Sequence, residues 1–272
     1  MGHTRSIVIG LALVLGQTAM VYAADLGLPP PEPCVGCDGP WYLKGFVGAA
    51  NPNVGGIDYE LITPDFVTYD KDIKSTPLFG LGFGYDTGHY FRFDVTGEYR
   101  GSAMLVFHDK YPGADGTFDY SGPGPGGPGT NEYTADIESW VGLFNTYIDL
   151  GTWHCVTPYV GGGVGFASLS IFGYKDVNVP QNSVAYGQDN TETNFAWAVY
   201  AGLSYKVNPS LTLDLSYRYT DLGNIRTGRI ATFDNVSTSG GFQIEDITSN
   251  DLMLGVRWAL GSQPAPMPVA FK

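Results

Sequence analysis

Positive charge is what this 272-residue chain has least of, with fourteen Lys and Arg standing against 27 Asp and Glu. The basic residues are scattered, so there is no patch of the kind that holds a phosphate backbone, and nucleic acid is excluded as a partner. Histidine is scarcer still, at four. His3 is near the N-terminus and His89 and His154 fall in short connections, which leaves only His108, with Ser102 and Asp109 close in sequence, for acid–base or nucleophilic chemistry. A lone loop histidine is ordinarily just solvated, so no catalytic residue and no cofactor site is expected. Metal sites are not expected either, because acidic groups such as Asp58, Asp65, Asp70 and Asp72 lack an ordered calcium-loop spacing. The three cysteines are too few for a four-ligand zinc site, and Cys34-Val-Gly-Cys37 has no thioredoxin-like surroundings. A structural disulfide is the better expectation, either Cys34 with Cys37 or one of these with Cys155, leaving one thiol over.

Long apolar runs are also missing, with one exception at the N-terminus. Arg5 precedes Ile7 to Leu15, followed by Val21-Tyr22-Ala23. This is the pattern of a secretory signal peptide over residues 1–23, cut between Ala23 and Ala24. Its apolar core is shorter than the roughly 17 to 25 residues of a spanning helix. Every later apolar stretch is interrupted by Gly, charged or polar residues, so no transmembrane helix is expected in the exported chain.

What the chain does have is glycine, 38 residues of it, and aromatic side chains at 14%, with only 15% charged residues, a β-type composition. In Tyr90 to Tyr99, YFRFDVTGEY, the residues Arg92, Asp94, Thr96 and Glu98 alternate with Phe91, Phe93, Val95 and Gly97; LTLDLSYRYT at 211–220 repeats the design. Period two predicts strands with one charged and one oily face. Eight such segments are expected, at 41–50, 76–86, 90–99, 140–150, 158–167, 194–205, 211–220 and 251–260. Most reach the roughly 9 to 11 residues of a tilted membrane strand. Short connections at 87–89, 151–157 and 206–210 alternate with long ones at 51–75, 100–139, 168–193 and 221–250, the rim asymmetry of an outer-membrane barrel. The fold expected is all-β, an eight-stranded antiparallel up-and-down transmembrane β-barrel over residues 41–260. A proline-rich periplasmic linker (24–40) precedes it and a proline-rich tail (261–272) follows. Phe79, Leu81, Phe83, Phe91, Phe93, Val95, Leu213, Leu215, Leu252 and Leu254 then face lipid. Lys44, Arg92, Asp94, Glu98, Asp214, Arg218 and Arg257, together with Asn145, Asp149 and Asp251, face the lumen as a charge network whose members must pair.

The segments WYLKGFVGAA, FGLGFGYDTGHYFRFDVTGEYRG, VGLFNTYIDLGTW, TPYVGGGVGFA, FAWAVYAGLSYKVNPSLTLDLSYRYTDLG and DLMLGVRWAL resemble the small outer-membrane β-barrels of the opacity-protein and OmpA-like type found in alphaproteobacteria. The likeness covers about residues 40–260 and implies a Gram-negative outer-membrane location. It implies a scaffold rather than a reaction. Such barrels close on an aromatic residue, whereas here twelve residues follow Leu260, with Phe271 next to last. The assembly signal therefore lies either in the last strand or in the tail. The expected role is structural support of the envelope by a non-enzymatic monomer. Its partners would be outer-membrane lipid, lipopolysaccharide and the barrel-assembly machinery. The alternatives are an adhesin or antigen using the long loops on a host or cell-surface ligand, or a narrow solute pore.

Overall fold

The computed structural model describes residues 39–59, 67–118, 127–235 and 238–261; the expected signal peptide with its cut between Ala23 and Ala24, Cys34 and Cys37, and residues 262–272 lie outside them. Twelve strands occur among the described residues: β1 (Trp41–Tyr59), β2 (Val67–Ile73), β3 (Thr76–Asp86), β4 (Phe91–Tyr111), β5 (Gly129–Asp149), β6 (Val156–Asn178), β7 (Ser183–Gly187), β8 (Asn190–Asn208), β9 (Leu211–Arg226), β10 (Ile230–Thr232), β11 (Thr238–Ser239) and β12 (Phe242–Ala259). The eight long ones, β1, β3, β4, β5, β6, β8, β9 and β12, pair antiparallel in that order, and β12 returns to β1 to close a ring. This is the eight-stranded barrel that the alternation predicts. The short strands β2, β7, β10 and β11 add to it at one end only, β2 on β4 and the others through β7 on β6.

Strand length departs from expectation. The ends at the short turns fall within a few residues of the expected positions, but the other ends run on: β4 continues to Tyr111, β5 already begins at Gly129, and β6 continues to Asn178. Much of the expected loops 100–139 and 168–193 is therefore wall. The face pattern reverses partway along β4, β6, β9 and β12, whereas β5 keeps one parity throughout. On β4 the inward residues are Arg92, Asp94, Thr96, Glu98 and Arg100; a bulge at 101–102 shifts the phase, and Ala103, Leu105, Phe107 and Asp109 point inward beyond it. Comparable shifts occur near Gly173 on β6, at Gly223 on β9 and at Asp246 on β12, each with positive φ. A bulge sets two residues against one and re-aims the strand. Below these bulges the wall is oily outside and charged inside. Beyond them Leu105, Phe107, Ile225 and Ile244, and at their level Ile137, Leu169, Ile171 and Ile247, are buried inside, like the core of a water-soluble barrel.

The outer belt below the bulges carries Phe79, Leu81, Phe83, Val95, Phe144, Val164, Val199, Leu215 and Leu254, all exposed. Aromatic pairs mark both of its margins. Trp41 stacks on Phe83 at 5.0 Å on the short-turn side, while Tyr99 meets Trp140 at 5.0 Å and Trp197 meets Tyr219 at 5.6 Å on the other. That is the girdle arrangement of a membrane-spanning barrel. Inside, β3 turns only glycines to the lumen over Gly80, Gly82 and Gly84. A Cβ at Gly84 would lie 2.3 Å from the Tyr42 ring, and one at Gly80 would lie 2.3 Å from Phe46. The bare strand makes room for the rings of β1.

Leu81 is 74% exposed at the middle of the belt on β3. Leu81→Arg should lower folding stability in lipid vesicles by about 2–4 kcal/mol, whereas Thr193→Arg, above the belt on β8, should change it by less than about 0.5 kcal/mol. Urea titrations of the two variants, followed by tryptophan fluorescence, check the contrast.

Candidate functional site: the barrel interior

Alternation on the wall points ten ionisable groups into the lower lumen, and their signs balance: Lys44, Arg92, Arg100, Arg218 and Arg257 against Asp94, Glu98, Asp149, Asp214 and Asp251. The deepest cluster joins β4, β9 and β12. Arg218 donates from Nη1 and Nη2 to the two oxygens of Glu98, both at 2.7 Å, and from Nε to Asp251 at 2.8 Å. Arg100 mirrors it, donating from Nε to Glu98 at 2.9 Å and from Nη2 to Asp251 at 2.8 Å. Two guanidiniums and two carboxylates thus alternate, and Ser249 completes the set by donating to Asp251 at 2.5 Å.

Nearer the short turns, Asp94 accepts from Lys44 (3.1 Å), Tyr42 (3.2 Å), Asn145 (2.7 Å) and Tyr147 (3.3 Å). Asn145 in turn accepts from the Tyr200 hydroxyl at 2.8 Å. Arg257 holds Asp214 through Nε at 2.7 Å, with Ser204 donating to the same carboxylate at 2.6 Å. Arg92 grips Asp149 with Nε and Nη2, at 2.7 to 3.0 Å, and its guanidinium lies over the rings of Tyr147 (5.1 Å) and Tyr159 (4.8 Å). Such pairs hold because removing a charge from water is offset only when its partner and its remaining hydrogen bonds are all present. The structure brings together every lumen residue singled out in the sequence and adds Arg100, Tyr42, Tyr147, Tyr159 and Tyr200. Tyr147 shares the parity of Asn145 and Asp149 on β5, a signal open to reading beforehand.

The interior leaves little space. Among Lys44, Phe46, Thr96, Tyr147, Tyr200 and Arg218 there is a void of about 10 Å³, near the size that one water requires. A wider vestibule of about 780 Å³ opens at the short-turn rim, beside Tyr42, Asp86, Asp149, Lys206 and Arg257. At the other end the apolar core fills the bore.

Other sequence candidates are dispersed. His108 lies on the outer face, its Nδ1 3.6 Å from Asp70 and its Nε2 3.7 Å from Glu132, while its chain neighbour Asp109 points inward. Ser102 donates instead to Asp136 at 2.8 Å, so the His108–Ser102–Asp109 set does not converge. Cys155, at φ 65° in the turn between β5 and β6, is disulfide-bonded.

Comparison with known proteins agrees with this architecture. The family described as "Outer membrane protein beta-barrel domain" matches residues 9–258. An uncharacterized protein of Brucella abortus is 28% identical over 237 residues, covering 79% of this chain and 80% of its own length. Outer membrane protein PagN of Salmonella typhimurium is 28% identical over 121 residues, 43% of this chain and 48% of PagN. The crystal structure of OprG from Pseudomonas aeruginosa superposes with a TM-score of 0.50 at 14% identity, covering 83% of this chain and 99% of OprG.

Arg218→Met strips two buried carboxylates of a partner and should cost about 3–5 kcal/mol of stability, measured by the same urea titration. The cysteines give a second expectation. Mass spectrometry of a nonreduced digest should recover Cys155 linked to a peptide from 25–40 and count one free thiol; an unlinked Cys155 would refute it.

Proposed function

We propose that this chain, which belongs to the outer membrane protein β-barrel domain family and is a β-barrel of the Gram-negative outer membrane, serves as a closed structural element of the envelope. Its short turns face the periplasm, and its long upper wall is presented outside the cell. The observation that carries this reading is the interior: five cations and five carboxylates neutralise one another in the lower lumen, and an apolar core fills the upper bore. A conducting path would need unpaired charge and continuous water, and opening one would mean breaking several buried ion pairs together. The outer belt and its aromatic margins fit lipid, with lipopolysaccharide against the outer face. Among the described residues His108, Ser102 and Asp109 do not converge, so that set does not support a catalytic reading.

A surface-binding role is the second reading. It is favoured by Val179 and Phe233, each 78% exposed at the upper end.

Deletion of the gene should sensitise cells to detergents and bulky dyes, and purified protein in planar bilayers should show no stable conductance. Stable conductance altered by Arg218→Met would favour a pore instead. A Val179→Ser/Phe233→Ser variant that keeps the envelope tight but loses attachment to host cells would favour the adhesin.

A further inference from the structure

The upper end of the barrel breaks the charge balance that the lower lumen keeps. Register places Asp109 of β4 opposite Asn131 of β5, and in the adjacent row sets Phe107 opposite Tyr133 and Tyr133 opposite Asp176 of β6. All five lie above the bulges, outside the membrane belt, and their side chains turn inward. Asp109 is satisfied by neutral donors only, the Asn131 side chain at 2.8 Å and the Tyr133 hydroxyl at 2.8 Å. Asn178 donates to Asn131 at 2.7 Å and to the Tyr111 hydroxyl at 2.6 Å, which extends the row without adding charge. Oδ1 of Asp176 is buried and has no hydrogen-bond partner.

The elements packed around this pair supply no inward cation among the described residues. On β5 the facing group is Tyr133, on β6 Tyr174, on β7 Ala185, beyond it Ile230 of β10, and on β12 Phe242. The nearby bases all point away: Lys110 is exposed over the Phe118 ring, and Lys175 and Arg229 are exposed as well. Among the described residues, two carboxylates therefore share a mostly apolar compartment with no inward countercharge.

The geometry points to a proton-dependent clasp: Asp176 carries a proton when the upper end is packed, and losing that proton beside Asp109 loosens the strands that close the barrel mouth. Burial, and then the charge of Asp109, push the Asp176 carboxyl up to about 7. Burial also raises Asp109, against the hydrogen bonds of Tyr133 and Asn131. A carboxyl held above its unfolded value of about 3.9 favours the packed state only while protonated. The stabilisation is complete in acid, falls as pH rises from about 4, and is gone above about 7. Acid therefore tightens the mouth. That the pH sensed is the external one rests on the orientation proposed above; the experiment below, made in micelles, tests the clasp alone.

Hydrogen–deuterium exchange of the refolded protein, at about pH 5.5 and about pH 8 and corrected for intrinsic exchange rates, reads the clasp directly. Peptides from 172–187 and 227–244 should exchange at least about fivefold faster at the higher pH, while 211–220 in the lower lumen stays unchanged. Asp176→Asn keeps the shape without the charge. It should hold slow exchange at both pH values, and Asp109→Asn should shrink the difference; heat-shifted gel mobility establishes that each variant is folded. Equal protection of the parent protein at the two pH values, or a full pH effect persisting in Asp176→Asn, would overturn the proposal. Calcium restoring protection at the higher pH in the parent but not in Asp176→Asn would overturn it too, by making the pair a cation site.

Discussion

Everything in this molecule follows from the pairing of its first and last long strands. β12 runs antiparallel to β1 from Ala259 opposite Tyr42 to Phe242 opposite Tyr59, and that seam leaves the ring without a free edge across the belt. In lipid an unpaired backbone amide has no water to turn to, so a sheet can cross only when closed. Closure on eight strands also fixes the bore, which is just wide enough for side chains to fill. The glycines of β3 and the rings of Tyr42 and Phe46 are two sides of that limit: one strand gives up its side chains so that its neighbour can keep large ones.

A filled bore must still be electrically acceptable. The lower lumen solves this with fixed partners, in that Arg218 and Arg100 each bridge Glu98 and Asp251 and draw three strands together. Buried pairs of this kind add little net stability compared with a well-packed apolar interior, but they penalise a misplaced strand heavily. Their contribution here is register. If β4 slipped by one residue, Arg92, Asp94 and Glu98 would face lipid and the whole network would come apart. Above the bulges the same bore is filled by Leu105, Phe107, Ile225 and Ile244, where packing takes over from ion pairing.

The belt-spanning half was legible because alternation of charge and oil over Phe91 to Tyr99 or Leu211 to Thr220 admits one face assignment once lipid is the solvent. The upper half was not, because a bulge interrupts the period and the faces then exchange character, so that RGSAMLVF at 100–107 reads as no strand at all. Arg100 was missed for that reason, one residue past the apparent end of its strand, although it shares the parity of Glu98. The interior tyrosines carry no formal charge, so a lumen face recognised by its charged residues passes over them. Tyr147 and Tyr200 act as hydroxyl donors inside, to Asp94 and Asn145.

The bulges also divide the wall into regions that respond differently to change. A residue inserted below Gly101 would have to propagate through the ion pairs and the lipid face of β4, whereas one inserted above it meets a core that a local repacking can absorb. The phase shift is thus a natural splice point. The outer half of each hairpin can be lengthened, shortened or exchanged over generations while the bilayer register beneath it is inherited intact, so surface variety and membrane residence are free to evolve on separate clocks.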